Sequence, residues 1–157
     1  MKESVYIETS IIGYLTARPT GDLITQTNIG ITQEWWNFRR SAFDLYASEA
    51  VLEETSRGDE EIAKQRLVLL RDFPLLKLNE AVQSLAIQLL SKSNLPDKAS
   101  VDALHIAAAT VHGMDYLLTW NCKHIANAQI QRKLTEISRN SGYVLPILCT
   151  PNELMGG

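Results

Sequence analysis

The chain has 157 residues, with 18 Asp and Glu against 15 Lys and Arg, a formal charge of -3, and 45% apolar residues. That length buries roughly 68–70% of the unfolded surface, enough for one core without disulfides or structural metal, so a single domain over residues 1–157 is expected. A charged fraction of 21% excludes a disordered tail, and the longest apolar runs, such as Ile106 to Val111 broken by Thr110, fall far short of the roughly 18 residues of a spanning helix. No membrane association is expected. Glu8 stands where a signal peptide would be apolar, so the expected location is cytoplasmic. Cys122 and Cys149 form no Cys-x-x-Cys pair and read as free thiols.

In chain order, Val5-Tyr6-Ile7 reads as a strand, and Thr9-Ser10 cap a helix carrying Ile11, Ile12, Tyr14 and Leu15. From Leu23 to Arg40 the stripe Ile24, Thr27, Ile31, Trp35, Phe38 predicts a helix, and Phe43 to Ala47 a second strand. A helix from Glu49 to Thr55 stops near Arg57-Gly58, and another from Asp59 to Asp72 presents Ile62, Leu67, Leu70 and Phe73. Leu75 to Leu78 is a candidate strand, and Asn79 to Ser91 is an amphipathic helix. Asp97 to His112 is apolar nearly all round and is therefore central, with Asp97 or Ser100 as its cap. Tyr116 to Thr119 is a short strand, Ala126 to Ser141 a polar helix, and Val144 to Cys149 a last extended segment. Short apolar strands alternating with helices imply parallel pairing with right-handed crossovers, hence a three-layer α/β/α domain with a short parallel central sheet.

In such sheets the functional site lies beyond the carboxyl ends of the strands. Two strands end there in polar residues: Glu8-Thr9-Ser10 after Ile7, and Thr119-Trp120-Asn121 after Leu118. Glu8 serves either as a helix cap or as a partly desolvated carboxylate held by donors or a cation. Asp102 is either a first-turn acid favoured by the helix dipole or an interior carboxylate on the face of Ile106 and Ala109. Glu54 follows Val51 and Ala50 on the apolar stripe and points inward, whereas Glu53 follows Glu49 on a charged stripe. Three such carboxylates make sense around a hard cation, Mg²⁺ or Mn²⁺. The histidines form no zinc pattern: His105 is expected in core packing or in a hydrogen bond behind the ligands, and His124 is remote in sequence. No Gly-x-Ser-x-Gly, Walker or Gly-x-Gly-x-x-Gly string is present.

The segments Tyr6-Ile7-Glu8-Thr9-Ser10, Ser48 to Glu54, Asp102 to Ala109, and Tyr116 to Asn121 together resemble the four acidic motifs of PIN domains, with the VapC-like ribonuclease toxins as the nearest kind. The resemblance covers nearly the whole chain. It implies a PIN-like fold and a metal-dependent endoribonuclease acting on RNA. Its four acidic positions fall on Glu8, Glu54, Asp102 and Asn121, with the metal on Glu8, Glu54 and Asp102, and Ser10 and Thr119 at the supporting hydroxyl positions. It also implies a cognate antitoxin and a homodimer. Two residues depart from the family pattern, Glu8 and Asn121 each standing where Asp is usual, which leaves a cleft of formal charge -3 and raises the alternative of a degenerate PIN protein that binds RNA or a partner. The basic residues available for RNA are Arg39, Arg40, Lys123, Arg132 and Lys133, with Arg139 farther along. Trp35, Trp36 and Phe38 beside Arg39 are read either as an interface for an amphipathic antitoxin segment or as core.

Overall fold

The computed structural model describes residues 1–156. Five strands, β1 (Glu3–Ile7), β2 (Phe43–Ser48), β3 (Leu75–Leu76), β4 (Tyr116–Leu118) and β5 (Ile147–Cys149), form one all-parallel sheet in the order β3-β2-β1-β4-β5. The helices are α1 (Thr9–Leu15), α2 (Leu23–Phe38), α3 (Glu49–Thr55), α4 (Glu60–Leu70), α5 (Glu80–Lys92), α6 (Ser100–Val111) and α7 (Ala128–Asn140). The chain first steps from β1 outward to β2 and β3, then returns to β4 and continues to β5. Right-handed crossovers therefore put α1 to α4 on one face and α5 to α7 on the other. Packing agrees, since α1 touches α2, α3 and α4, while α5 touches α6 and α7. The strand order reverses between β1 and β4, and the crevice that this reversal opens beyond their carboxyl ends is where an open α/β sheet places its ligand.

Local chemistry fixes the ends of these elements. Side chains of Asp22, Asp59, Asn79 and Asn127 accept from backbone N–H groups in the first turns of α2, α4, α5 and α7. Gly113 and Gly142 take positive φ, +71° and +87°, at the ends of α6 and α7. At each, two backbone bonds close a Schellman turn: Gly113 N to Thr110 O and Met114 N to Ala109 O, then Gly142 N to Arg139 O and Tyr143 N to Ser138 O. A side chain there would be strained. The core runs from Val5, Tyr6 and Ile7 on β1 through Trp35, Ile106 and Leu117, all fully buried. No helix among the described residues is long and apolar enough to cross a membrane.

Several expectations shift. The buried stripe of α2 is Ile29, Thr32, Trp35 and Trp36, whereas Ile24 and Phe38 are 73% and 75% exposed. The reason is tertiary. Trp35 stacks on Phe43 and donates Nε1–H to Leu154 O, so the turn Pro151–Leu154 near the end of the chain sets the rotation of α2. Both tryptophans are core residues rather than interface anchors. Leu67 is exposed, because Ala63 and Leu70 form the buried line of α4. The expected central helix divides into a 3₁₀ turn (Asp97–Ala99) and α6, whose cap residue is Ala99 without a side-chain cap, so neither Asp97 nor Ser100 caps it. The last strand is shorter than expected, and Val144 lies outside it in solvent.

Candidate active site

Glu8 follows β1 directly and is only 5% exposed. It is the cap residue of α1, and its extra methylene is absorbed by folding back over that helix start. Oε1 accepts from Ser10 N at 3.1 Å, Ser10 Oγ at 2.5 Å and Thr119 Oγ1 at 2.6 Å. All three donors end on Oε1, which leaves Oε2 without a hydrogen bond among the described residues. Thr119, at the end of β4, also accepts from Asn121 N at 2.9 Å, and Ser10 Oγ accepts from Trp120 N at 2.8 Å. The hydroxyls of Ser10 and Thr119 thus tie the ends of β1 and β4 to one carboxylate.

Glu54 reaches the same place from α3. Its Oε1 accepts from Thr9 Oγ1 at 2.5 Å and pairs with His105 Nε2 at 2.6 Å. Glu53, one residue earlier, points to solvent and pairs with Arg57 at 3.1 Å. Burial works to raise the Glu54 pKa, but the hydrogen bonds from His105 and Thr9, with the charges of His105 and Arg57, outweigh it and hold the carboxyl below its usual value. His105 on α6 is completely buried, and its Nδ1 lies 2.7 Å from the Tyr6 hydroxyl, which in turn lies 2.8 Å from Ser48 Oγ. One ligand-type atom from each of Glu8, Glu54 and His105 falls within 4.8 Å of the others. Among the described residues no Lys or Arg bridges Glu8 and Glu54, and two carboxylates held that close suit a hard divalent cation.

Asp102 is not a member of that cluster. It lies one turn before His105 on α6, half-buried, and Oδ2 is 3.0 Å from His124 Nδ1. His124, far from Asp102 in sequence, is delivered by the turn after β4. Asn121 builds that turn: its Oδ1 accepts from His124 N at 3.0 Å, and its backbone oxygen accepts from Ile125 and Ala126. Asn121 therefore acts locally as a turn former, and the imidazole of His124 occupies the neighbourhood of Asp102. Trp120 pins the turn to the other layer through Nε1–H to Thr32 Oγ1 at 2.7 Å and an edge contact with Tyr14.

The basic residues do not converge. Arg39 and Arg40 immediately precede β2, at the amino edge of the sheet and opposite the crevice, with Arg40 stacked over Trp36 at 4.3 Å. Arg132 and Lys133 are exposed on α7, and Lys133 lies 3.9 Å from Glu136. Only Lys123, exposed in the turn after β4, adjoins the fourth motif. Thr9, Arg57 and His124 belong to the site and were not assigned to it from sequence. Thr9 looked like a plain helix cap, Arg57 like a surface end-of-helix charge, and the meeting of His124 with Asp102 spans 22 residues.

No family model and no curated protein matches the chain by sequence. Solved structures do match by shape. One is VapBC2 from Rickettsia felis, bound to a DNA fragment from its promoter, with TM-score 0.58 and 15% identity, covering 94% of this chain and 98% of that one. Another is Mycobacterium tuberculosis VapC20, described as a sarcin-ricin loop cleaving toxin, with TM-score 0.59 and 16% identity, covering 89% and 96%. The chain has a VapC-like PIN fold. Within that fold, Glu8 follows β1, Glu54 lies on α3 and Asp102 on α6, while Asn121, in the turn after β4, engages its side-chain oxygen within that turn.

Proposed function

We propose that this chain is a Mg²⁺- or Mn²⁺-dependent endoribonuclease, the toxin of a toxin-antitoxin pair, acting in the cytoplasm as a homodimer with a cognate antitoxin as partner. The observation that carries the reading is the convergence of Glu8 and Glu54 at the point where the strand order reverses, unbridged by Lys or Arg. Glu8 and Glu54 would hold the cation in this reading, with Asp102 as the third acidic residue of the crevice. The cation supplies activation of water and charge stabilisation at a phosphodiester. Ser10 and Thr119 keep Glu8 fixed, so its carboxylate needs no reorganisation on binding. Lys123, exposed in the turn after β4, is the side chain that meets RNA phosphate. The net charge of -3 is compatible with such a substrate, because a bound divalent cation reverses the sign of the cleft locally.

A second reading is favoured by one feature. Asn121 spends its side-chain oxygen on His124 N, so the fourth position lends no charge, as in a PIN protein that binds RNA or a partner without cutting it. Incubating single-stranded RNA with wild type, Asp102→Ala and Asn121→Asp in Mg²⁺ and in Mn²⁺ separates the two. The enzymatic reading predicts cleavage by wild type that EDTA and Asp102→Ala abolish. Cleavage absent from wild type and gained in Asn121→Asp supports the binding protein instead.

A further inference from the structure

Three buried groups behind Glu54 form a continuous chain: Ser48 Oγ, Tyr6 hydroxyl and His105, in steps of 2.8 and 2.7 Å, ending on Glu54 Oε1 at 2.6 Å. They come from β2 and β1 of the sheet and from α6, and Glu54 comes from α3 on the opposite face, so all three layers of secondary structure meet at one carboxylate. Proximity alone groups His105 with Glu8 and Glu54 as a metal ligand. Proton accounting assigns it differently. An ionised carboxylate only accepts, so the short contact with Glu54 requires the hydrogen to sit on Nε2. A protonated ring nitrogen has no lone pair for a metal. Nδ1 then meets the Tyr6 hydroxyl at 2.7 Å, and that hydroxyl meets Ser48 Oγ at 2.8 Å, so the ring is held at both nitrogens.

Resting on the metal reading of the cleft, we infer that His105 is a positioning residue and not a metal ligand: with Tyr6 and Ser48 behind it and Thr9 beside it, it fixes Glu54 so that the free oxygen faces the cation. Ligand carboxylates are commonly held by such outer hydrogen bonds, and losing one costs about 10–100-fold in metal affinity. The aromatic contact between Tyr6 and His105, at 5.7 Å between centroids, sets the plane of the imidazole. Thr9 supplies the second fixed donor on the same oxygen, so Glu54 cannot rotate without breaking two bonds.

The deciding experiment uses the full-length wild type labelled with ¹⁵N at histidine and titrated with Mg²⁺, with the ring nitrogens of His105 observed by NMR. Nε2 is expected to keep its proton at saturating Mg²⁺. Alongside it, calorimetric Mn²⁺ titration is expected to give about 10–100-fold weaker binding for His105→Leu, with a smaller loss for Tyr6→Phe, which keeps the ring and the volume. Loss of the Nε2 proton on Mg²⁺ binding overturns this inference alone, as does wild-type Mn²⁺ affinity in both variants. A wild type that binds neither ion overturns the metal reading and this inference with it.

Discussion

Thr119→Val tests whether the end of β4 is built around Glu8. Valine keeps the volume of a side chain that is completely buried and removes only the hydroxyl. That hydroxyl donates to the Glu8 carboxylate at 2.6 Å and accepts from Asn121 N at 2.9 Å. A hydrogen bond to a charged group contributes about 1.5–3 kcal/mol and a neutral one about 0.5–1.5. Glu8 retains both Ser10 donors, and Asn121 is only half-buried, which moves the sum to the lower part of its range. The expected loss is about 2–3 kcal/mol in urea unfolding, or about 4–12 °C in Tm for a chain of this size. Thr27→Val on the exposed side of α2, where the hydroxyl bonds only Leu23 O within its own helix, is the control, expected within about 0.5 kcal/mol of wild type. A Thr119→Val loss no larger than the control refutes the claim that Glu8 depends on that hydroxyl.

Two further outcomes are expected. Because the Glu54 pKa lies below its ordinary value of 4.5 in the folded protein, its ionised form adds stability above that value, and the contribution disappears as pH falls through the folded pKa. Urea unfolding of wild type and Glu54→Gln should therefore differ most at neutral pH and converge as the buffer is taken below 4.5 and down through the folded pKa; a constant gap contradicts the assignment. Burial, with a smaller effect of Glu153, raises both thiols, Cys149 up to about 12, but only Cys122 is exposed. Alkylation of the native protein at pH 8 followed by mass spectrometry should label Cys122 alone, with Cys149 reacting only after unfolding; early labelling of Cys149 would show that β5 opens.

The alternation of short apolar strands and helices was legible because each segment carries its own period and its own end signals. The carboxyl-edge placement of Glu8 and Thr119 followed from that alternation. So did the inward turn of Glu54 against the outward turn of Glu53, since Arg57 pairs with Glu53 on the exposed side of α3. What could not be read locally was set by distant partners. The rotation of α2 depends on Leu154, 119 residues beyond Trp35, and on Trp120, which claims Thr32. Trp35 and Trp36 are adjacent, and a periodic stripe through one of them could not reveal that both are buried. His105 and His124 were visible only as isolated histidines, because each takes its meaning from a residue 51 or 22 positions away, Glu54 and Asp102 respectively. The sheet edge that Arg39 and Arg40 occupy was not legible for a related reason: a basic pair gives no indication of its edge until the strand after it is known.

Crystals of the wild-type protein soaked in Mn²⁺ and measured for anomalous scattering show whether Glu8 and Glu54 share a cation. The account predicts an anomalous peak between the carboxylates of Glu8 and Glu54, with the imidazole of His105 still on Glu54 and outside the coordination shell. A map with no anomalous peak beside these carboxylates contradicts it.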